Sequence, residues 1–332
     1  MPASLFRTSA APLAAALLLG AASAGAQAQS APAVAEAPLR AHLSFLADDL
    51  LEGRGTGQRG GALTVRYLET QAAVLGLTPL ADGGYRQKVE LVGQKTLPAS
   101  TLRFEAGGKA LPATFGKDVV YANAAGTTAT HVTVPLVFVG YGIDAPGEHW
   151  NDFDGADVKG KVLVAMVNDP RPTAAEPDRF GGKSLTWYGR WAYKFEEAVR
   201  QGAAGILLIH TTASASYPWS VPVNSFTHEQ FHLAGPGNAL QGWISEDMAR
   251  TLFAQAGQDL DTLRARAEVR GFRPVALDAR IDANVQSAVR SIVEYNVAGI
   301  VPGSDPKLRG QAVIYSAHWD HFGTRPGMRG DN

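Results

Sequence analysis

Two short clusters of imidazole and carboxylate stand out in this sequence: His318-Trp319-Asp320-His321 and His228-Glu229-Gln230-Phe231-His232. There is no cysteine in the 332 residues, so disulfide scaffolds, thiolate zinc sites, iron–sulfur clusters and a cysteine nucleophile are excluded. A metal ion must be held by His, Asp and Glu. Side chains two apart on an extended chain point the same way, so Asp320 can reach the imidazole of His318. A carboxylate that accepts a hydrogen bond from one ring N–H fixes the tautomer and raises the basicity of the other nitrogen, as around a histidine metal ligand. A buried polar turn would use the same residues, and both readings stay open at this point.

The second cluster matches H-E-x-x-H, which on a helix places two imidazoles on one face to bind zinc, with the glutamate as base. Pro222 and Gly235-Pro236-Gly237 confine any helix here to two turns, too short to sit rigidly under a metal. The segment reads as a surface loop with solvated histidines. Gly55-Thr56-Gly57-Gln58-Arg59-Gly60 fits G-x-G-x-x-G, but the pattern predicts a helix before it instead of the required strand. It reads as a mobile joint between helices. Phe138-Val139-Gly140-Tyr141-Gly142 reads as a strand end.

The elements that must position these residues follow from periodicity. Leu39, Leu43, Leu46, Leu50 and Leu51 recur at helical spacing up to Gly53, and a second helix is predicted over 61–75. QKVELV, TLRFEA and DVVYA read as short strands. PLVFVGYGI, GKVLVAMV and GILLIHTT read as buried strands, with the helix WAYKFEEAVRQGA completing a strand–helix–strand unit. ISEDMARTLFAQAG reads as a helix capped by Ser245. Residues from Ala279 to Gly303 alternate as a long strand or an antiparallel pair, and QAVIYSAHWDHFG reads as a buried strand ending in the first cluster.

The first thirty residues have the layout of a secretory signal peptide: Arg7, an apolar run from about Ala10 to Ala22, and A-x-A cleavage sites near Ala26. The run is short of a bilayer span. The expected location is periplasmic or secreted, with no membrane span after cleavage. With 30 Lys+Arg against 31 Asp+Glu, the chain offers no basic footprint, so no nucleic-acid partner is expected.

HLSFLADDLLEGRGTGQRGG, LETQAAVLGLTPL, the strands and helices of 131–271, and YNVAGIVPGSDPKLRGQAVIYSAHWDHFG together resemble the co-catalytic zinc aminopeptidases that carry a protease-associated domain insert, peptidase family M twenty-eight. The resemblance implies an α/β fold: a zinc-exopeptidase, phosphorylase/hydrolase-like α/β sandwich with an inserted β-rich protease-associated domain. The expected division is a signal peptide over 1–26, the first part of the peptidase domain over 37–130, the insert over 131–271, and the peptidase domain continuing over 272–332. By the same resemblance His318 is the first zinc ligand and Asp320 the acid that orients it. His321 is not assigned as a ligand, and the His228–His232 string falls inside the insert, away from the metal centre.

The implied activity is hydrolysis of amino-terminal peptide bonds at a site holding two Zn2+ ions, with peptides as the partners. In the family the bridging Asp, a Glu pair, a further Asp and a final His follow the H-x-D-H strand, whereas this sequence stops at Asn332. It is therefore expected to be an amino-terminal portion, incomplete at the C-terminus, binding zinc weakly, inactive alone and poorly soluble. Rival readings are a non-catalytic protease-associated module that docks peptides or proteins, a zincin built on His228 and His232, and a carboxypeptidase or glutaminyl-cyclase chemistry on the same fold.

Overall fold

The computed structural model describes residues 34–80 and 83–324. The signal peptide expected over 1–26 lies outside the described residues. The chain divides into two compact units, Met1–Asp48 and Asp49–Asn332. In the first, the described residues form one helix, Glu36–Leu46, none of whose residues is buried. The helical run expected to continue to Gly53 stops at Leu46, and Leu50 and Leu51 fall instead in a separate short turn from Asp49 to Arg54, within which Glu52 and Gly53 take left-handed backbone angles. No described helix is long and apolar enough to cross a membrane.

The second unit is a mixed α/β structure on a ten-stranded sheet. At its centre Ala129–Phe138, Val162–Met166, Gly205–His210 and Leu240–Ser245 run parallel, with Val119–Ala122 antiparallel at the margin. Strands covered on both faces read as continuous apolar runs. Val162, Val164 and Met166 accordingly face Leu252, Phe253 and Leu263, while Leu163 and Ala165 face Phe195, Ala198 and Phe226. The helix Trp191–Arg200 links the parallel neighbours Val162–Met166 and Gly205–His210, as the strand–helix–strand pattern predicts. Ser245 caps the helix Glu246–Gln255, its hydroxyl accepting from the Met248 amide at 3.3 Å. Such a cap contributes about 1 kcal/mol.

One strand ties this sheet to the residues that could do chemistry. Val275–Val297 pairs through its first half with Thr101–Ala106 and Ala129–Phe138, and through its second half with Arg86–Thr96. The sheet thus draws strands from before residue 131 and after residue 271 as well as from between them. Beyond Arg86–Thr96 lies a last strand, Gln230–Leu233, antiparallel to it.

The expected strand QAVIYSAHWDHFG does not form. Residues 301–320 have no strand geometry, and Val313, Ile314 and Tyr315 are 82%, 83% and 94% exposed. An apolar run is buried as a parallel strand only when neighbours pair on both sides, and among the described residues none lies beside it.

Candidate functional site

The joint after the first short turn is bent by three successive left-handed residues, Glu52, Gly53 and Arg54, at φ 51°, 64° and 49°. For the two non-glycine residues this conformation is costly, and such strain collects where the surroundings hold the chain for a purpose. Here it turns two carbonyls toward the His318–Thr324 segment. Gly53 accepts from the Gly323 amide at 2.9 Å and Arg54 from the His321 amide at 3.1 Å. Gly55 bridges to His321. A Cβ on Gly55 would come within 2.7 Å of the Gly323 Cα, and one on Gly60 within 1.7 Å of the Leu51 carbonyl oxygen. Close approach of backbone to backbone, and not a phosphate cradle, explains these glycines.

Side chains of the joint complete the grip. Arg54 Nε donates to the Trp319 carbonyl at 2.9 Å. Gln58 Oε1 accepts from the Thr324 amide at 2.8 Å, and its Nε2 donates to the Thr324 carbonyl at 3.1 Å. The Trp319 indole donates to the Tyr295 carbonyl at 3.1 Å, which anchors the segment to the long strand. The joint is tied to that strand as well, since the Gly57 amide donates to Glu294 Oε1 at 2.6 Å.

His318 and Asp320 are brought together. His318 Nδ1 lies 2.9 Å from the Asp320 carbonyl oxygen and 3.3 Å from Asp320 Oδ1. Both neighbours are acceptors, so Nδ1 carries the proton, and in the neutral ring Nε2 is then the bare lone pair. The other Asp320 oxygen, Oδ2, accepts from Thr56 Oγ1 at 3.2 Å. The His318 side chain is exposed, and Nε2 has no partner among the described residues. No group of three or more His, Cys, Asp or Glu side chains that could hold a metal ion gathers among the described residues.

The His228–His232 string is not a loop throughout and is not remote from these residues. His228 ends the helix Ser220–Thr227, with Nδ1 2.6 Å from the Asn224 carbonyl oxygen, and Gln230–Leu233 is extended. The two imidazoles therefore do not share a helix face. His232 instead meets Gln94, Nε2 to Oε1 at 3.3 Å. Glu229 takes Nε and Nη2 of Arg290 at 2.6 and 2.8 Å, and the Arg290 guanidinium lies 5.6 Å from the centre of the Phe231 ring. Pairing of Gln230–Leu233 with residues 91–94 carries the string across the sheet. It lands on a cleft of about 640 Å³ whose other wall includes Asp320 and Phe322.

Sequence reasoning missed Thr56, Gln58, Lys95, Glu229 and Arg290 as members of this cleft. The Glu229–Arg290 pair spans 61 residues, and no spacing rule reaches that far. For Thr56 and Gln58 there was a signal: a glycine-rich turn that could not be a nucleotide loop still needed something to approach its backbone.

No protein-family model matches this sequence, and no curated protein is similar to it. Solved structures are. The aminopeptidase from Aneurinibacillus sp. strain AM-1 is 19% identical, over 80% of this chain and 48% of that one, with a TM-score of 0.36. The peptidase M28 precursor from Shewanella amazonensis SB2B is 13% identical, over 78% and 51%, with a TM-score of 0.35. BSAP, a zinc aminopeptidase from Bacillus subtilis, is 15% identical, over 80% and 47%, with a TM-score of 0.29. All three are peptidases. The chain spans about half the length of each.

Proposed function

We propose that this chain carries the first metal-ligand corner of an exported di-zinc aminopeptidase, His318 binding through Nε2 and Asp320 holding the ring from Nδ1. The observation that carries the reading is the Asp320 relay: one carboxylate oxygen beside His318 Nδ1, the other held by Thr56, and the ligating nitrogen left open. The His318 side chain is exposed, so a buried polar turn does not account for the pair. The described residues fit one ligand of a zinc ion and do not fit a pair of ions, which takes three or more protein ligands per metal. What these residues do is orient an imidazole, fix its tautomer and hold the segment that bears it. Peptides are the proposed substrates, and the periplasm or the exterior the proposed location.

The test is zinc binding to the full chain, read by competition with a chromophoric chelator. His318→Ala is expected to abolish the weak binding. Asp320→Asn should weaken it by about tenfold, the lower end for loss of a group that orients a ligand. His228→Ala should leave it unchanged. Binding that survives His318→Ala, or is lost in His228→Ala, overturns the reading in favour of a non-catalytic module or of a zincin.

A further inference from the structure

The Asp320 side chain is 45% exposed and lines an open cleft. It keeps its negative charge there, because its partners are an imidazole and a hydroxyl. Water competes for an exposed carboxylate, so its direction is fixed only where the protein supplies a donor. The donor to Oδ2 is the Thr56 hydroxyl at 3.2 Å. The His318 ring also has a choice. Its Nδ1 lies 2.9 Å from the Asp320 carbonyl oxygen and 3.3 Å from Asp320 Oδ1. Only the second acceptor is charged, and a charge-assisted hydrogen bond is about twice as strong as a neutral one. Whether a carboxylate or only a peptide carbonyl backs the imidazole therefore depends on where the Asp320 side chain is held.

We infer that Thr56 is a positioning residue for the His318 corner: its hydroxyl holds one Asp320 oxygen so that the other backs the imidazole. The surrounding backbone delivers that hydroxyl without its help. Gly53 accepts from the Gly323 amide, Arg54 accepts from the His321 amide, and Gly55 bridges to His321. Gln58 grips Thr324 through both ends of its side-chain amide. None of these contacts uses the Thr56 side chain, so a change there removes the hydroxyl and leaves the two segments clasped. Valine keeps the branched shape of threonine and loses the donor, whereas serine keeps the donor. The inference rests on the metal-ligand reading for the purpose of the arrangement. The hold on Asp320, and its effect on the ring, are present without a metal.

The experiment uses the full chain and two readouts: proton–nitrogen spectra of the histidine rings without metal, and zinc affinity by chelator competition. Thr56→Val is expected to move the His318 Nδ1 resonance while keeping the tautomer, since the Asp320 carbonyl still accepts from Nδ1. It should weaken zinc by about threefold, less than Asp320→Asn, because the carboxylate stays and only its orientation is lost. Thr56→Ser should restore both readouts. In the Asp320→Asn background Thr56→Val should add nothing, because two residues acting through one contact are not additive. Unchanged His318 resonances in Thr56→Val, a Thr56→Ser variant as impaired as Thr56→Val, or additive effects of the two substitutions would overturn the inference. His318→Ala is carried in parallel. Zinc binding lost in His318→Ala with no ring response to Thr56→Val removes this inference and leaves the metal-ligand reading standing. A ring response to Thr56→Val with zinc binding indifferent to His318→Ala removes only the metal-ligand reading.

Discussion

Gly205–His210 and Val313–His318 are two apolar runs that each close on a histidine, and they end in opposite environments. All six residues of the first are buried, between Val162–Met166 on one side and Leu240–Ser245 on the other. The second is exposed throughout. The difference is not in the amino acids, since Ile206-Leu207-Leu208-Ile209 and Val313-Ile314-Tyr315 are equally fit for a strand. It lies in the neighbours. The consequence reaches the histidines: burial holds the His210 imidazole below its ordinary pKa and leaves its Nε2 buried without a hydrogen-bond partner, whereas His318 Nε2 is open to solvent.

The largest expected effect breaks this comparison at its apolar centre. Leu208→Asp puts a carboxylate into a fully buried position and should cost more than about 4 kcal/mol, enough to abolish cooperative folding. Ile314→Asp should change stability by less than about 0.5 kcal/mol. Denaturant midpoints of the two variants decide it. A large loss with Ile314→Asp would mean that the second run is packed after all.

A smaller effect sharpens the comparison within the packed region. Lys194, on the helix against Gly205–His210, is fully buried with no hydrogen-bond partner for Nζ. Desolvation pulls its pKa down to about 7. Desolvation likewise pushes the neighbouring Asp152 up to about 7, although the Trp150 indole and the Ile143 amide donate to its carboxylate. The signs follow from proton binding. The raised Asp152 favours the folded state at low pH, and that stability is lost as pH rises from 3.8 toward about 7. The lowered Lys194 favours the folded state at high pH, and that stability is lost as pH falls from 10.5 toward about 7. Together they predict a dip in stability near neutrality. Asp152→Asn combined with Lys194→Met should remove the dip and raise stability at neutral pH by about 1–4 kcal/mol, measured by denaturant unfolding across pH. A lower stability of the double variant at neutral pH would show the pair to be net stabilising.

Much of the fold was legible because its signals are local. The apolar runs at 162–166 and 205–210, the helix between them and the Ser245 cap each follow from residues within one or two turns of one another. The fate of 313–318 was not legible, since burial of a strand depends on what pairs with it. The site divides in the same way. His318 and Asp320 meet because they are two residues apart. The Thr56 contact to Asp320 and the arrival of Glu229 in the cleft arise from tertiary pairing across 264 residues and across the sheet, which no motif encodes.

The central claim is that Asp320 holds His318 with Nδ1 protonated and Nε2 open for a metal. Long-range proton–nitrogen spectra of the histidine rings at neutral pH test it directly. The account predicts that neutral His318 is the Nδ1–H tautomer, that Asp320→Asn mixes the tautomers, and that added zinc moves the His318 Nε2 resonance first. A dominant Nε2–H tautomer at His318, or zinc shifts confined to His228 and His232, would contradict it.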